Sequence, residues 1–348
     1  MPRAGEGARR RHHDDHQGGP TMNAFKSFTL PLALAGALMS TTAFAADTIV
    51  FKSADIHPDG YPTVVAVEYM GELLKERSGG RLSIDVLNAA QLGQEKDTIE
   101  QTRFGVIDMN RINLAPLNNL IPETSVPALP FIFKSTEHMR ETMDGPIGEE
   151  ILAAFEPHGL IGLAFYDSGA RSFYNSKKPI VTVEDMKGMK IRVQQSDMFV
   201  GMVNGLGANA TPMAFGEVYS GLQTGVIDGA ENNWPSYEST KHYEVAPYYS
   251  LSQHSMAPEA LVMSKIAWDK LTPEDQALVK QAAKDSVAKM RELWDAREAE
   301  SRKKVEAAGS KINEVNKEEF IAAMQPFYAS FVTDPKLKDL VARIQAGE

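Results

Sequence analysis

The chain has 348 residues, with 36 Lys and Arg against 46 Asp and Glu, a formal net charge of −10, and no cysteine. An acidic balance of this size argues against nucleic acid or anionic lipid as a partner. The missing cysteine excludes disulfides, thiolate metal sites, thiol catalysis and a lipid-modified cysteine.

Residues 1–21 run Arg9-Arg-Arg11 into His12-His-Asp-Asp-His16. With nothing apolar to fix a metal geometry there, they are expected to be a disordered extension or the product of a misplaced start codon. Residues 22–45 read as a cleavable export signal: Lys26, an apolar run from Phe28 to Met39, and Ala43-Phe-Ala45 as a small-x-small cleavage site. Ser40-Thr-Thr breaks the apolar run before it is long enough to span a bilayer. The mature chain is therefore expected to begin at about Ala46 as a soluble periplasmic protein, not lipid-anchored. The leader carries Arg3, Arg9, Arg10, Arg11 and Lys26 against Glu6, Asp14 and Asp15, so the remainder is more acidic than the whole. Its length suffices for two lobes.

Thr48–Lys52 predicts a strand, Tyr61–Glu76 a helix with Pro62 in its first turn, and Arg81–Leu87 an alternating strand. A helix over Gln94–Phe104, stopped by Gly105, leads to a strand over Val106–Met109. This βαβαβ rhythm implies a parallel sheet with ligands at the carboxyl ends of its strands. Leu114–Pro130 is apolar and proline-rich and reads as a covering segment. Leu160–Tyr166 is a buried-type strand. A second α/β unit follows, with strands over Met189–Val193, Ala208–Pro212 and Val226–Asp228 and helices over Asp197–Gly205 and Phe215–Thr224. Two such units suggest two lobes around a cleft. From Thr272, an N-cap followed by Pro273, one helix is expected to run to about Ala308, long enough to brace both lobes. One or two short helices follow over 318–346. The sequence shows no evident internal repeat.

Arg192, between Ile191 and Val193, points to the strand face opposite them, either toward a ligand or into an internal salt bridge. Arg171 follows Gly169 beyond a strand end, in expected loop territory. A guanidinium donates two parallel hydrogen bonds to a carboxylate and stays charged. Asn232 and Asn233, after Gly229, offer amides to a hydroxyl-bearing ligand. Trp234 could stack on a sugar or serve as a core aromatic. Glu95 could accept from ligand hydroxyls or simply complement a helix dipole. Histidines 57, 138, 158, 242 and 254 are scattered without ligand spacing, which argues against a metal; His57 and His254 are candidate cleft residues. A nucleophile elbow, a phosphate loop and a dinucleotide fingerprint are all absent, so neither a cofactor nor an enzyme is expected.

Together, Gln91-Leu-Gly, Gly105-Val-Ile-Asp108, Gly169-Ala-Arg-Ser-Phe-Tyr174, Met186-Lys-Gly-Met-Lys-Ile-Arg-Val193, Glu217-Val-Tyr-Ser-Gly-Leu-Gln-Thr-Gly-Val-Ile-Asp-Gly-Ala-Glu-Asn232 and Leu271-Thr-Pro-Glu-Asp275 resemble the DctP-type solute-binding proteins of tripartite ATP-independent periplasmic (TRAP) transporters. The resemblance implies an α/β, two-lobed Venus-flytrap clamp: lobe I over 46–168 plus about 253–272, lobe II over 169–252 plus parts of 273–348, and a bracing helix over about 272–308. It implies that Arg192 pairs with a ligand carboxylate and Arg171 adds to it, that Asn232 and Phe215 line the cleft, and that Glu95 and Asn113 face the ligand from lobe I. Position 113 varies among members. The expected partners are a small organic acid and the membrane subunits of an importer, with the protein itself a monomer. The Ser-Gly-Ala-Arg-Ser-Phe-Tyr-Asn run beside His57-Pro-Asp-Gly-Tyr looks most like members that bind hexuronates (glucuronate, galacturonate). A C4-dicarboxylate, then sialic acid, are the alternatives, and a periplasmic enzyme acting on uronic acids is the alternative of another class.

Overall fold

The alternation of short apolar strands with amphipathic helices builds two sheets in the computed structural model, which describes residues 48–347. The extension and export signal expected before Ala46 lie outside the described residues. The first sheet contains β1 (Ile49–Ala54), β2 (Leu82–Leu87), β3 (Met109–Asn113), β4 (Leu160–Tyr166) and, returning late in the chain, β10 (Glu259–Ser264), in the order β2-β1-β3-β10-β4. The second contains β5 (Arg171–Asn175), β6 (Lys190–Val193), β7 (Asn209–Pro212), β8 (Gly229–Asn232), β9 (Tyr248–Ser255) and β11 (Lys311–Asn313), in the order β11-β9-β5-β8-β6-β7.

Neither sheet is wholly parallel, which corrects the sequence expectation. The parallel sets β2-β1-β3 and β8-β6-β7 are there, but β10 runs antiparallel to β3 and β4, and β5 antiparallel to β8 and β9. The antiparallel strands are those that pass between sheets, β4 into β5 through residues 167–170 and β9 into β10 through residues 256–258. Pairing brackets this double crossing, with Tyr166 opposite Glu259 and Arg171 opposite Ser255. Arg171 therefore opens a strand instead of sitting in a loop.

Two further strands lie later than expected. Val106-Ile-Asp108 and Val226-Ile-Asp228, β-branched and strand-like in composition, are turns with the same construction. In each, a glycine at φ +73° (Gly105, Gly225) ends a helix, the valine is exposed and the isoleucine is buried. The aspartate then accepts a backbone N–H across the sheet: Lys52 N donates to Asp108 Oδ2 and Lys190 N to Asp228 Oδ2, both at 2.9 Å. The positive φ is the reason for glycine at both places. This is a repeat of local structure that a short shared tetrapeptide had not advertised. The strands begin after it, at Met109 and Gly229, so that Arg111, Asn113, Glu231 and Asn232 are strand residues.

The long helix spans Pro273–Ala307, 35 residues and about 52 Å at 1.5 Å per residue. Thr272 Oγ1 accepts from Asp275 N at 3.2 Å at its start. Val279, Ala283, Met290 and Trp294 bury its stripe in one core with Phe51, Val67, Met70 and Leu163 of the first sheet's layer. Further along, Val305 joins Tyr174, Leu222, Tyr237 and Tyr249 of the second, and Arg297 pairs with Glu238. A third core runs through both sheets and takes in Leu117, Ile121, Val126 and Leu129 of the covering segment. The crossing strand is tied down as well: buried Asp167 accepts from Arg140 at 2.6 Å and from Arg291 of the long helix at 3.2 Å. Among the described residues no helix is long and apolar enough to cross a membrane.

Candidate functional site

The carboxyl ends of β1, β3, β6 and β8 meet at the crossing, where polar side chains converge on two adjoining chambers. The larger is walled by His57, Glu95, Arg111 and Asn113 from the first sheet's side and by Arg171, Gln194, Phe215 and Asn232 from the second's. The smaller holds Arg192 with Gln195 and Met213. Glu95, Gln194 and Phe215 line both. Larger hollows lie beside the long helix, but their charges face each other, as in Lys284 with Glu149 and Arg291 with Asp144. The chambers hold Arg192, which no carboxylate pairs with among the described residues.

The two halves touch across this space. Gly216 N donates to Gln94 Oε1 at 3.2 Å, Ser196 Oγ to Asn118 Oδ1 at 2.9 Å, and Tyr61 and Ser236 share a hydroxyl hydrogen bond of 3.0 Å. The arrangement is closed.

The two arginines differ in their surroundings. Arg171 is bound bidentately to Glu231, Nε to Oε2 at 2.5 Å and Nη2 to Oε1 at 2.9 Å, and Nη1 donates to Asn232 Oδ1 at 3.0 Å. Burial would raise the Glu231 carboxyl, but Arg171 outweighs it and holds the group at about 2. Arg192 is equally buried, yet its Nε and Nη2 donate only to the Met213 carbonyl, at 3.0 and 2.8 Å. Among the described residues no carboxylate pairs with it. Burial depresses its pKa, with the more distant Glu231 only partly compensating. Three of its five N–H donors remain.

The opposite wall is acidic. Arg111 at its centre is ringed by Asp55, Glu259 (2.5 Å) and Glu95 (3.5 Å). Burial, offset in part by Arg111 and reinforced by Glu259, pushes Glu95 up to about 7. Asn113 donates its backbone N–H to Glu95 Oε1 at 3.0 Å and its amide to Glu259 Oε1 at 3.2 Å. Ser168 in the crossing also donates to Glu259, at 2.8 Å, and Asn233 donates to the Ser168 carbonyl at 2.8 Å. His57 stacks on Tyr61 at 3.8 Å and meets the edge of Phe215 at 5.5 Å. Burial, with the Arg111 and Arg171 charges, holds its imidazole neutral.

Of the residues singled out from sequence, Glu95, Asn113, His57, Arg171, Arg192, Phe215, Asn232 and Asn233 come together here. Two do not line the chambers. Trp234 stacks on Tyr249 at 3.9 Å beneath Arg302, as a core aromatic. His254 stacks on Phe173 at 4.1 Å behind the cleft, with Nε2 3.5 Å from Glu231. Sequence reasoning passed over Asp55, Arg111, Gln194, Glu231 and Glu259. The signal was available for Arg111, a charged residue inside the strand run Met109-Asn-Arg-Ile-Asn113, by the argument applied to Arg192.

The family model of bacterial extracellular solute-binding proteins, family 7 (DctP), matches residues 53–334. The chain belongs to that family. This family-7 chain is 45% identical over 321 residues to a solute-binding protein of Chromohalobacter salexigens, covering 91% of this chain and 95% of the relative. The structure is similar to a TRAP periplasmic solute-binding protein from a Bradyrhizobium species in complex with galacturonate: TM-score 0.85, 60% identity, 86% of this chain and 100% of that one. It is also similar to one from Chromohalobacter salexigens with bound D-glucuronate: TM-score 0.83, 45% identity, with the same coverage. The family is one of solute binders and not of enzymes, and its two-lobed architecture and long helix agree with the fold expected from sequence.

Proposed function

We propose that this chain is the periplasmic solute-capturing subunit of a TRAP transporter, working as a monomer that delivers a hexuronate, D-glucuronate or D-galacturonate, to the importer's membrane subunits. The observation that carries the reading is Arg192: a buried guanidinium with no counter-charge among the described residues, facing a chamber at the strand ends. A ligand carboxylate supplies that charge through two parallel hydrogen bonds and relieves the cost of burying the cation alone. Arg171 and Asn232 wall the adjoining chamber but are already committed to Glu231 and to each other, so they orient the ligand more than they neutralise it. The remainder of the sugar acid then meets amides, a neutral imidazole and carboxyl groups suited to hydroxyls. A C4-dicarboxylate fits less well, because its second carboxylate would face Glu95 and Glu259 around the single Arg111.

Titration calorimetry of the protein from Ala46 onward against glucuronate, galacturonate, succinate and sialate tests this. Hexuronates are expected to bind and the others to bind far more weakly. Arg192→Ala is expected to lose more than the roughly 1.5–3 kcal/mol typical of a hydrogen bond to a charged group. Succinate as the tightest ligand, or unchanged glucuronate affinity in Arg192→Ala, would overturn it.

A further inference from the structure

Two buried side chains that wall the larger chamber keep a polar atom without a partner among the described residues: His57 through Nδ1 and Gln194 through Oε1. Such orphans are uncommon, since a buried polar atom left unpaired keeps its full desolvation penalty, and of those among the described residues these two alone line the chambers. Their positions are specific. His57 lies three residues past β1 on one side of the chambers. Gln194 directly follows β6 on the other, two residues beyond Arg192 and so on the same side of the extended backbone. Gln194 lines both chambers, beside the carboxylate anchor and between it and the acidic wall.

The chemistry of the missing partner follows. An amide oxygen is an acceptor and an amide nitrogen a donor, while a neutral imidazole has one nitrogen of each kind. A hydroxyl satisfies each of these, whichever way the amide or ring is turned. A carboxylate only accepts, and here it would also confront Glu95 and Glu259.

We infer that Gln194 is a specificity-determining residue of the site, hydrogen-bonding a ring hydroxyl of the sugar acid and thereby separating polyhydroxylated acids from dicarboxylates, with His57 serving the same hydroxyl layer from the facing wall. This rests on the hexuronate reading above and adds the residue that enforces it. His57 is fixed for the role by its stack on Tyr61 and its contact with Phe215.

The test is calorimetry of wild type, Gln194→Met and Gln194→Ala with D-glucuronate, its monodeoxy analogues and succinate, alongside melting of each protein without ligand. Gln194→Met is expected to bind glucuronate about ten- to a hundredfold more weakly with ligand-free melting no lower than wild type, since the orphaned atom is gone. One monodeoxy analogue is expected to show the same loss in wild type and no further loss in Gln194→Met. Gln194→Ala carries the same expectation should the methionine variant fold poorly. Glucuronate affinity within twofold of wild type in both variants, or deoxy losses that simply add to the mutational loss, overturns the inference and leaves the proposed function standing. A wild-type protein that binds no hexuronate overturns both. A lower ligand-free melting temperature with equal losses for every ligand marks a structural role and also overturns it.

Discussion

Arg171 and Arg192 occupy one site with the same burial, and their partners divide the labour. Breaking a buried pair leaves the surviving charge uncompensated and typically costs about 3–5 kcal/mol. Arg171→Met, which strands Glu231, is therefore expected to lower stability in denaturant titrations by an amount in that range. Arg192→Met removes a cation that lacks a counter-charge, and its ligand-free stability is expected to equal or exceed wild type while glucuronate binding is lost. Glu95 gives a pH dependence of definite sign. Its carboxyl titrates at about 7 in the folded protein and near the ordinary carboxylate value when unfolded. Between those values the folded state holds the extra proton, so its contribution to stability falls as pH rises and reaches its full penalty above 7. Glu95→Gln mimics the protonated group. Its melting temperature is expected to match wild type near pH 4 and exceed it at pH 8, by the equivalent of about 2–4 kcal/mol. A gap of equal size at both values would contradict this.

At the scale of elements, the helices that were legible have capping residues and apolar spacing that are local, whereas the short helices Thr136–Asp144, Pro146–Ala153 and Trp234–Ser239 were not anticipated. Thr272-Pro273 and the stripe through Val279, Ala283, Met290 and Trp294 announced the long helix almost to the residue. The strands around the site were harder to place, for a physical reason. Met109–Asn113 and Gly229–Asn232 are fully buried strands made largely of polar residues and glycine, because they carry the site, while the β-branched residues just before them belong to turns. Pairings such as Arg171 with Glu231, sixty positions apart, and Arg111 with Glu259 have no local signature. The polar residues found from sequence were those in motifs; their countercharges were not. Gly229 shows how tightly β8 is seated: a Cβ there would lie 2.4 Å from the Tyr174 carbonyl. Gly229→Ala must push β8 from β5, and is expected both to lower the melting temperature and to weaken ligand binding through Glu231 and Asn232.

For the whole molecule, each sheet supplies part of the proposed binding surface, so a ligand held there would bridge halves joined by the crossings at 167–170 and 256–258. Closure is expected to be driven by differential contact with the two arrangements. Small-angle scattering should show a more compact particle with glucuronate than without it; equal dimensions would count against hinge closure. Bound ligand also stabilises by mass action, which makes thermal shift a fast screen.

The twin turns have a practical consequence. Val106 and Val226 are exposed, stand at matched positions in the two sheets, and belong to a chain whose sequence contains no thiol. Cysteines introduced at this pair would be the sole attachment points for spin or fluorescent probes, and the interprobe distance would report the jaw angle directly, one molecule at a time, without touching a single group that meets the solute.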